Sequence, residues 1–290
     1  MKNSNIGFSV KLHGGLGNQL FQYFAGKYFS VKSGIPVNFD CRWVKFQNIH
    51  EESDICDFKF TNNDEMLYPK RYGVIRHNLD RGNYWLSKQS RSVAELQGLF
   101  IIPDVYFAEE IRVRKNSSLL GYFQCRKYFE QYQRFVGTVE WDLNHSAEER
   151  TKLALTKFDN DFTVIHVRGR DFLNHKTPNI SLTIEYYKKA FQMLKIEPKS
   201  QIVVFTDDIH HAKKLFADFP NLEFASQLSL SAAETLVIMS QASNLITSNS
   251  TLSYWSALIS NANIVAPSKW TNGHENIENL YPLHWEIISV

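Results

Sequence analysis

Residues 201–225 read QIVVFTDDIHHAKKLFADFPNLEFA, and this stretch decides the fold class. Ile202–Thr206 is an unbroken apolar run of strand length. Asp207 and Asp208 follow it and open a helical pattern that runs to about Phe219. Leu222–Ala225 is a second strand. A buried-type strand, a helix and another such strand make a β-α-β unit, and such units assemble parallel sheets covered by helices.

The same alternation continues on both sides. Ser146 with Glu149 reads as a capping box for a helix to about Phe158. Phe162–Val167 is a strand and Leu182–Lys195 a helix. Ser231 with Glu234 caps a helix to Ala242, and Leu245–Thr247, Thr251–Ser260 and Ile264–Ala266 continue as strand, helix and strand. At the other end of the chain, Phe8–Leu12 is a strand. A glycine-rich turn joins it to a helix over Asn18–Ser33, with Leu20, Phe21, Phe24, Tyr28 and Val31 at helical spacing. Gly34 ends that helix, and Pro36–Phe39 is a strand with Asp40 at its C-terminal edge. Residues 41–145 are irregular, aromatic and basic, and there only a strand at Leu119–Gln124 and a helix at Lys127–Val136 stand out.

Composition sets outer limits. The chain has 290 residues, 43% apolar and 21% charged, with a formal net charge of +2. That length suits one large α/β domain or two of about 100–150 residues each. A nearly balanced charge argues against electrostatic wrapping of nucleic acid. The three cysteines, Cys41, Cys56 and Cys125, lack metal or disulfide spacing and fit a reduced compartment. Neither a signal peptide nor an apolar run of membrane-spanning length is expected, so the expected location is cytoplasmic.

Ligands of parallel sheets bind at the C-terminal ends of the strands, and four polar clusters lie there. Gly14-Gly15-Leu16-Gly17-Asn18-Gln19 joins a strand to a helix, where glycines let a ligand approach the backbone and helix-start amides attract anions. It serves equally as a tight turn. His166-Val167-Arg168-Gly169-Arg170-Asp171 brings two guanidinium groups, an imidazole and a carboxylate to one strand end; arginine forks suit diphosphate. Asp207 and Asp208 either cap a helix or bind a ribose or guanine edge. Thr247-Ser248-Asn249-Ser250-Thr251 links a strand to a helix and either caps that helix through Ser250 or offers hydroxyls and amides to an oxyanion. Asp159-Asn160-Asp161 precedes its strand, at the wrong end of the sheet for a ligand, and reads as a solvated turn. No metal-binding spacing and no nucleophile elbow occur, so no metal is expected.

GGLGNQLFQYFAG, LLGYFQCRKYF, HVRGRDF, LTIEYYKKAF, VVFTDD and MSQASNLITSNSTLSYWSALIS occur in an order that resembles the α1,2-fucosyltransferases of glycosyltransferase family 11, over nearly the whole chain. The resemblance implies a GT-B-like α/β fold: two Rossmann-like parallel-sheet domains with a cleft between them, here residues 1–150 on the acceptor side and 151–290 binding GDP-sugar. It implies inverting transfer of L-fucose from GDP-β-L-fucose to a hydroxyl, commonly the 2-OH of a galactose, without a metal or cofactor. Arg168 matches the first arginine of a motif that usually reads His-x-Arg-Arg-Gly-Asp; Gly169 and Arg170 are exchanged here.

Arg168, Asp171, Asn18 and His13 are then the catalytic candidates. Asp171 is the first choice of general base and His13 the second; Asp171 serves equally in a structural role, holding Arg168 in place. Gly15, Gly17, His166, Arg170, Asp207, Asp208, Asn249, Ser250 and Thr251 are the donor-binding candidates. The expected acceptor is a galactose-terminated oligosaccharide or lipid-linked glycan, with peripheral contact to the cytosolic face of a membrane. Two rival readings come from the same residues. One is a nicotinamide-dependent oxidoreductase using Gly15, Gly17 and Asp40. The other is a non-catalytic sugar or nucleotide binder on the same scaffold.

Overall fold

The N-terminal helix begins two residues earlier than its apolar spacing requires. Phe8–Lys11 (β1) leads through the glycine turn into Leu16–Ser33 (α1), whose N-cap is Gly15. Gly34 closes α1 in the left-handed conformation, φ 69°, which glycine adopts without a Cβ penalty. The computed structural model describes residues 7–41, 54–67, 99–101, 105–169, 181–197, 199–219, 221–270 and 277–290. The chain divides into two units: Met1–Cys56 with Phe60–Glu140, and Asp57–Lys59 with Trp141–Val290.

In the first unit, β1 pairs in parallel with Val37–Asp40 (β2) and with Ser118–Leu120 (β5). Glu65–Leu67 (β3) and Leu99–Ile101 (β4) complete the sheet in the order β3-β2-β1-β5-β4. Helix α1 lies close to this sheet because of Gly26. A Cβ there would stand 2.8 Å from Phe39 Cε1 and 2.9 Å from Val10 Cγ2. The core is built of rings: Tyr23 stacks on Phe39 at 4.6 Å, and Phe24 meets Phe129 of Arg126–Val136 (α2) edge-on at 4.6 Å. Each fully buried phenylalanine contributes roughly 1.5–3 kcal/mol. The expected strand at Leu119–Gln124 is shorter in the structure, because Phe123 turns to φ 53° and leaves the extended region.

The second unit holds His145–Leu155 (α3), Thr163–Val167 (β6), Ile184–Leu194 (α4), Ile202–Thr206 (β7), Ile209–Leu215 (α5) and Leu222–Phe224 (β8). It continues with Ala232–Ser240 (α6), Asn244–Ile246 (β9), Thr251–Leu258 (α7), Asn263–Pro267 (β10) and Glu286–Ile288 (β11). Its six-stranded sheet runs β11-β10-β9-β6-β7-β8 with every pair parallel. Counted within the unit, this is the doubly wound Rossmann order. Strand β6 is central and buried at every position. Its Ile165 and Val167 share a core cluster with Tyr186, Tyr187, Val204, Phe216, Ile246 and Val265.

Ser231 and Glu234 form the expected capping box. Buried Glu234 also takes a 2.6 Å ion pair from Arg150. The box expected at Ser146 and Glu149 does not form. Helix α3 starts at His145 with Asn144 as N-cap, because Asn144 N–H donates to Asp57 O at 2.7 Å and Leu143 bridges to Phe58. That tether brings the chain into helix earlier than the local sequence indicates. Among the described residues, no helix is long and apolar enough to cross a membrane, and no group of three metal-ligating His, Cys, Asp or Glu side chains occurs.

Candidate functional site

Each sheet reverses its winding beside its first strand, and a crevice opens at the carboxyl ends of the two strands that flank such a point. In the second unit those strands are β6 and β9. His166, the last residue but one of β6, faces Ser248 just beyond β9, with Nδ1 2.7 Å from Ser248 Oγ. Burial, and secondarily the positive charge of Arg168, lowers the His166 pKa to about 3. The imidazole is therefore neutral at pH 7. Tyr187 Oη donates to its carbonyl at 3.3 Å, and Tyr186 Oη donates to Thr247 O at 2.7 Å. These two tyrosines of α4 fix both strand ends from beneath.

Arg168 follows β6, and its Nη1 lies 2.8 Å from Asp207 Oδ2, at the end of the neighbouring strand β7. The other carboxylate oxygen, Asp207 Oδ1, accepts the Gly169 N–H at 2.7 Å. Asp208 has the separate task of N-cap to α5. Its Oδ1 accepts the His211 N–H at 3.0 Å, and its own N–H donates to Thr206 Oγ1 at 3.0 Å. Arg170 and Asp171 lie outside the described residues.

After β9, Thr247, Ser248, Asn249 and Ser250 are all buried. Asn249 Nδ2 donates to Trp270 O at 3.2 Å, and Ser253 Oγ donates to Ser248 O at 3.3 Å. Ser250 occupies the N-cap position of α7 as expected, but without a side-chain cap bond. Intrahelical bonding starts with Tyr254 N–H onto Ser250 O. Helix geometry thus leaves the amides of residues 251–253, Thr251 included, without intrahelical acceptors.

In the first unit the corresponding strands are β1 and β5. Gly14 takes φ +76°, and a Cβ there would stand 2.7 Å from Asn18 Nδ2. The left-handed glycine of the turn is therefore Gly14; Gly15 caps α1 and Gly17 sits buried in its first turn. Asn18 Oδ1 accepts from Gln124 Nε2 at 3.0 Å, a residue beyond β5. His13 is 8% exposed and packs against the ring of Tyr122 with centroids 4.6 Å apart. Gln22 of α1 clamps it. Gln22 Oε1 accepts His13 N–H at 2.9 Å, while Gln22 Nε2 donates to His13 O at 3.2 Å and lies 3.0 Å from Nδ1. Nδ1 is also 3.3 Å from Lys11 O. Burial lowers the His13 pKa to about 4.

Sequence reasoning did not single out Gln22, Gln124, Tyr186 or Tyr187. Gln22 had no readable signal: it lies off the face of Leu20, Phe21 and Phe24, on the one shared with Asn18 and Gly26 four residues to either side. Gln124 had none, because only the pairing of β5 with β1 brings it to Asn18. The rival acid Asp40 is buried at the end of β2, 1% exposed.

Comparison with known proteins adds a family. The family model described as Glycosyl transferase family 11 matches residues 107–289. The chain is 26% identical to the O-antigen biosynthesis glycosyltransferase WbnK of Escherichia coli, covering 91% of this chain and 94% of that one. It is 23% identical to an alpha-1,2-colitosyltransferase of Escherichia coli, covering 92% and 93%. Among solved structures it is similar to the fucosyltransferase NodZ from Bradyrhizobium, with a TM-score of 0.52 at 12% identity, covering 92% of this chain and 96% of that one. That likeness shows the fold, GT-B-like α/β with two parallel-sheet units.

Proposed function

This chain belongs to glycosyl transferase family 11, and from that premise we propose that it is an inverting fucosyltransferase taking L-fucose from GDP-β-L-fucose to a hydroxyl of a glycan, the 2-OH of a galactose in particular. The observation that carries this reading is Arg168, held by Asp207 at 2.8 Å beside the switch point of a doubly wound sheet. NodZ, whose fold this chain shares, has also been solved after soaking with GDP-fucose.

The chemistry asks for such a group. As the bond from the sugar C1 to the phosphate oxygen breaks, positive charge grows on the fucose ring and negative charge on the β-phosphate. Fixed donors stabilise that charge best where they need not reorganise. Arg168 donates to the departing diphosphate. The backbone amides at the start of α7, beside Ser250 and Thr251, stabilise the same anion through the helix N-terminus. Asp208 and Asn249 hold the nucleoside end of the donor. His166, being neutral, adds a polar wall without competing for the anion. Arg170 is assigned to the diphosphate as well. No metal is required in this scheme, because the guanidinium and the amides supply the counter-charge.

The acceptor hydroxyl must lose a proton as it attacks. Asp171 is the proposed general base, a role worth about 10²–10⁴-fold in rate. His13 and Asn18 are assigned to the reacting sugars. With the Gln22 amide, the nearer of its two contacts, donating to Nδ1, the His13 ring hydrogen is assigned to Nε2. His13 then serves as a neutral donor that orients a hydroxyl. Residues 1–150 form the acceptor side and 151–290 the donor side. The acceptor is a galactose-terminated oligosaccharide or lipid-linked glycan, met at the cytosolic face of a membrane.

The test is to incubate the protein with GDP-fucose and a panel of galactosides and to determine the product linkage by NMR. An α1,2-linked fucosyl product is expected. GDP binding without turnover on any acceptor would favour the non-catalytic reading. A thermal shift with NAD(P) and none with GDP would favour an oxidoreductase.

A further inference from the structure

Asp207 sits where a nucleoside ligand would be expected, at the end of a parallel strand beside the switch point, yet both of its oxygens face the protein. Oδ2 meets Arg168 Nη1 at 2.8 Å, and Oδ1 accepts the Gly169 N–H at 2.7 Å. One carboxylate therefore ties the guanidinium to the main chain one residue further on. The tie crosses two strands whose residues lie 38 positions apart in sequence. It needs a very close approach of residue 169 to the next acid: a Cβ on Gly169 would stand 2.4 Å from Asp208 Cβ. That atom lies next to the backbone of a helix cap and cannot swing aside. A side chain larger than hydrogen at position 169 has no room here.

We infer that Asp207 is a positioning residue that holds Arg168 in its working rotamer, with Gly169 as the steric condition for that hold, and that it is not a ligand of the nucleoside. The inference rests on reading Arg168 as the diphosphate ligand. A long cationic side chain loses considerable rotamer freedom when fixed. A guanidinium already fixed before the donor arrives does not meet that cost as charge develops. Loss of the hold lowers the rate of transfer more than the binding of donor, since a free guanidinium still finds the diphosphate and a nearby negative charge has gone.

The experiment compares the wild type with Asp207→Asn, which keeps the shape, and with Asp207→Ala. The first readout is the Arg168 side-chain N–H signal of the free protein in ¹H–¹⁵N NMR, assigned by its loss in Arg168→Lys. Restricted rotation of the guanidinium is expected in the wild type and averaging in both variants. The second readout is steady-state transfer from GDP-fucose. There kcat is expected to fall about tenfold, as for a weakened transition-state contact, with the donor KM within about twofold of the wild type. In an Arg168→Ala background, Asp207→Ala should add nothing further.

An Arg168 signal that is the same in all three proteins overturns the inference. So does a raised donor KM at preserved kcat, which makes Asp207 a nucleoside ligand. If the Arg168 signal responds to Asp207→Asn while the wild type transfers nothing from GDP-fucose, the hold stands and the donor assignment falls.

Discussion

The two switch points of this molecule differ in what closes them. In the first unit the closure is made of amides and rings: Gln22 clamps His13, Gln124 donates to Asn18, and Tyr122 packs on the imidazole. In the second it is made by an ion pair, Arg168 with Asp207, and a hydroxyl-imidazole contact between Ser248 and His166. Both crevices bury a neutral histidine. Under the proposed function, the contrast teaches how one topology would serve two ligand chemistries. Amides and a neutral imidazole match the hydroxyls of a sugar, for which a fixed charge offers little. A positioned guanidinium matches a diphosphate, where a charge-assisted hydrogen bond is worth roughly 1.5–3 kcal/mol.

The sharpest way to break that contrast is Arg168→Ala. Transfer from GDP-fucose should fall by about one to two decades in kcat/KM, measured with radiolabelled donor. Undiminished transfer would remove the charged crevice from the reaction.

A second measurement addresses what the crevices share. An unfolded histidine titrates near 6.5, whereas His13 titrates at about 4 and His166 at about 3. Below pH 6.5 the unfolded chain therefore binds more protons than the folded one. The contribution is fully present above pH 6.5 and is lost as the pH falls through each folded value. Each histidine should account for on the order of 3 kcal/mol of acid destabilisation. Urea denaturation from pH 7 to pH 4 checks this. Substituting His13 or His166 by glutamine should flatten that one residue's share of the slope.

A smaller effect is expected at Gly26, which brings α1 close to the sheet behind the first crevice. Gly26→Ala forces a methyl group against Phe39 and Val10, both fully buried. Overpacking of this kind costs about 1–3 kcal/mol, against a helix-propensity gain of up to about 1 kcal/mol. A net loss of about 1–2 kcal/mol in unfolding free energy is expected. The smallest effect is none at all: if the guanidinium and amides carry the counter-charge, EDTA should leave transfer unchanged. A loss restored by a divalent cation would show that the second crevice works through a metal.

Legibility in the sequence followed the range of the forces involved. The strands and helices of residues 146–268 are visible in apolar runs and caps, because burial on a parallel sheet imposes those patterns residue by residue. Asp208 as a cap, the capping box at Ser231 and Gly34 as a helix stop are likewise local chemistry. Helix α3 starts earlier than the local Ser146 signal indicates, because a hydrogen bond to Asp57, far away in the sequence, overrides that signal. The strands β3, β4 and β11, three residues each, were not read from the sequence. They are held by the strands beside them.

By itself, then, the chain's residue order determined the parallel α/β class, the positions of most helices and strands in the second half, and the residue types waiting at strand ends. Tertiary structure alone decided which of them meet. His166 and Ser248 are 82 positions apart, and Asn18 and Gln124 are 106 apart. Such pairs depend on the order in which strands are laid into a sheet, and strand order is a property of the whole buried core that no local pattern encodes. The same holds for Asp207, which reads in sequence as a cap or a nucleoside ligand. Only the packing of β6 beside β7 turns its carboxylate toward Arg168.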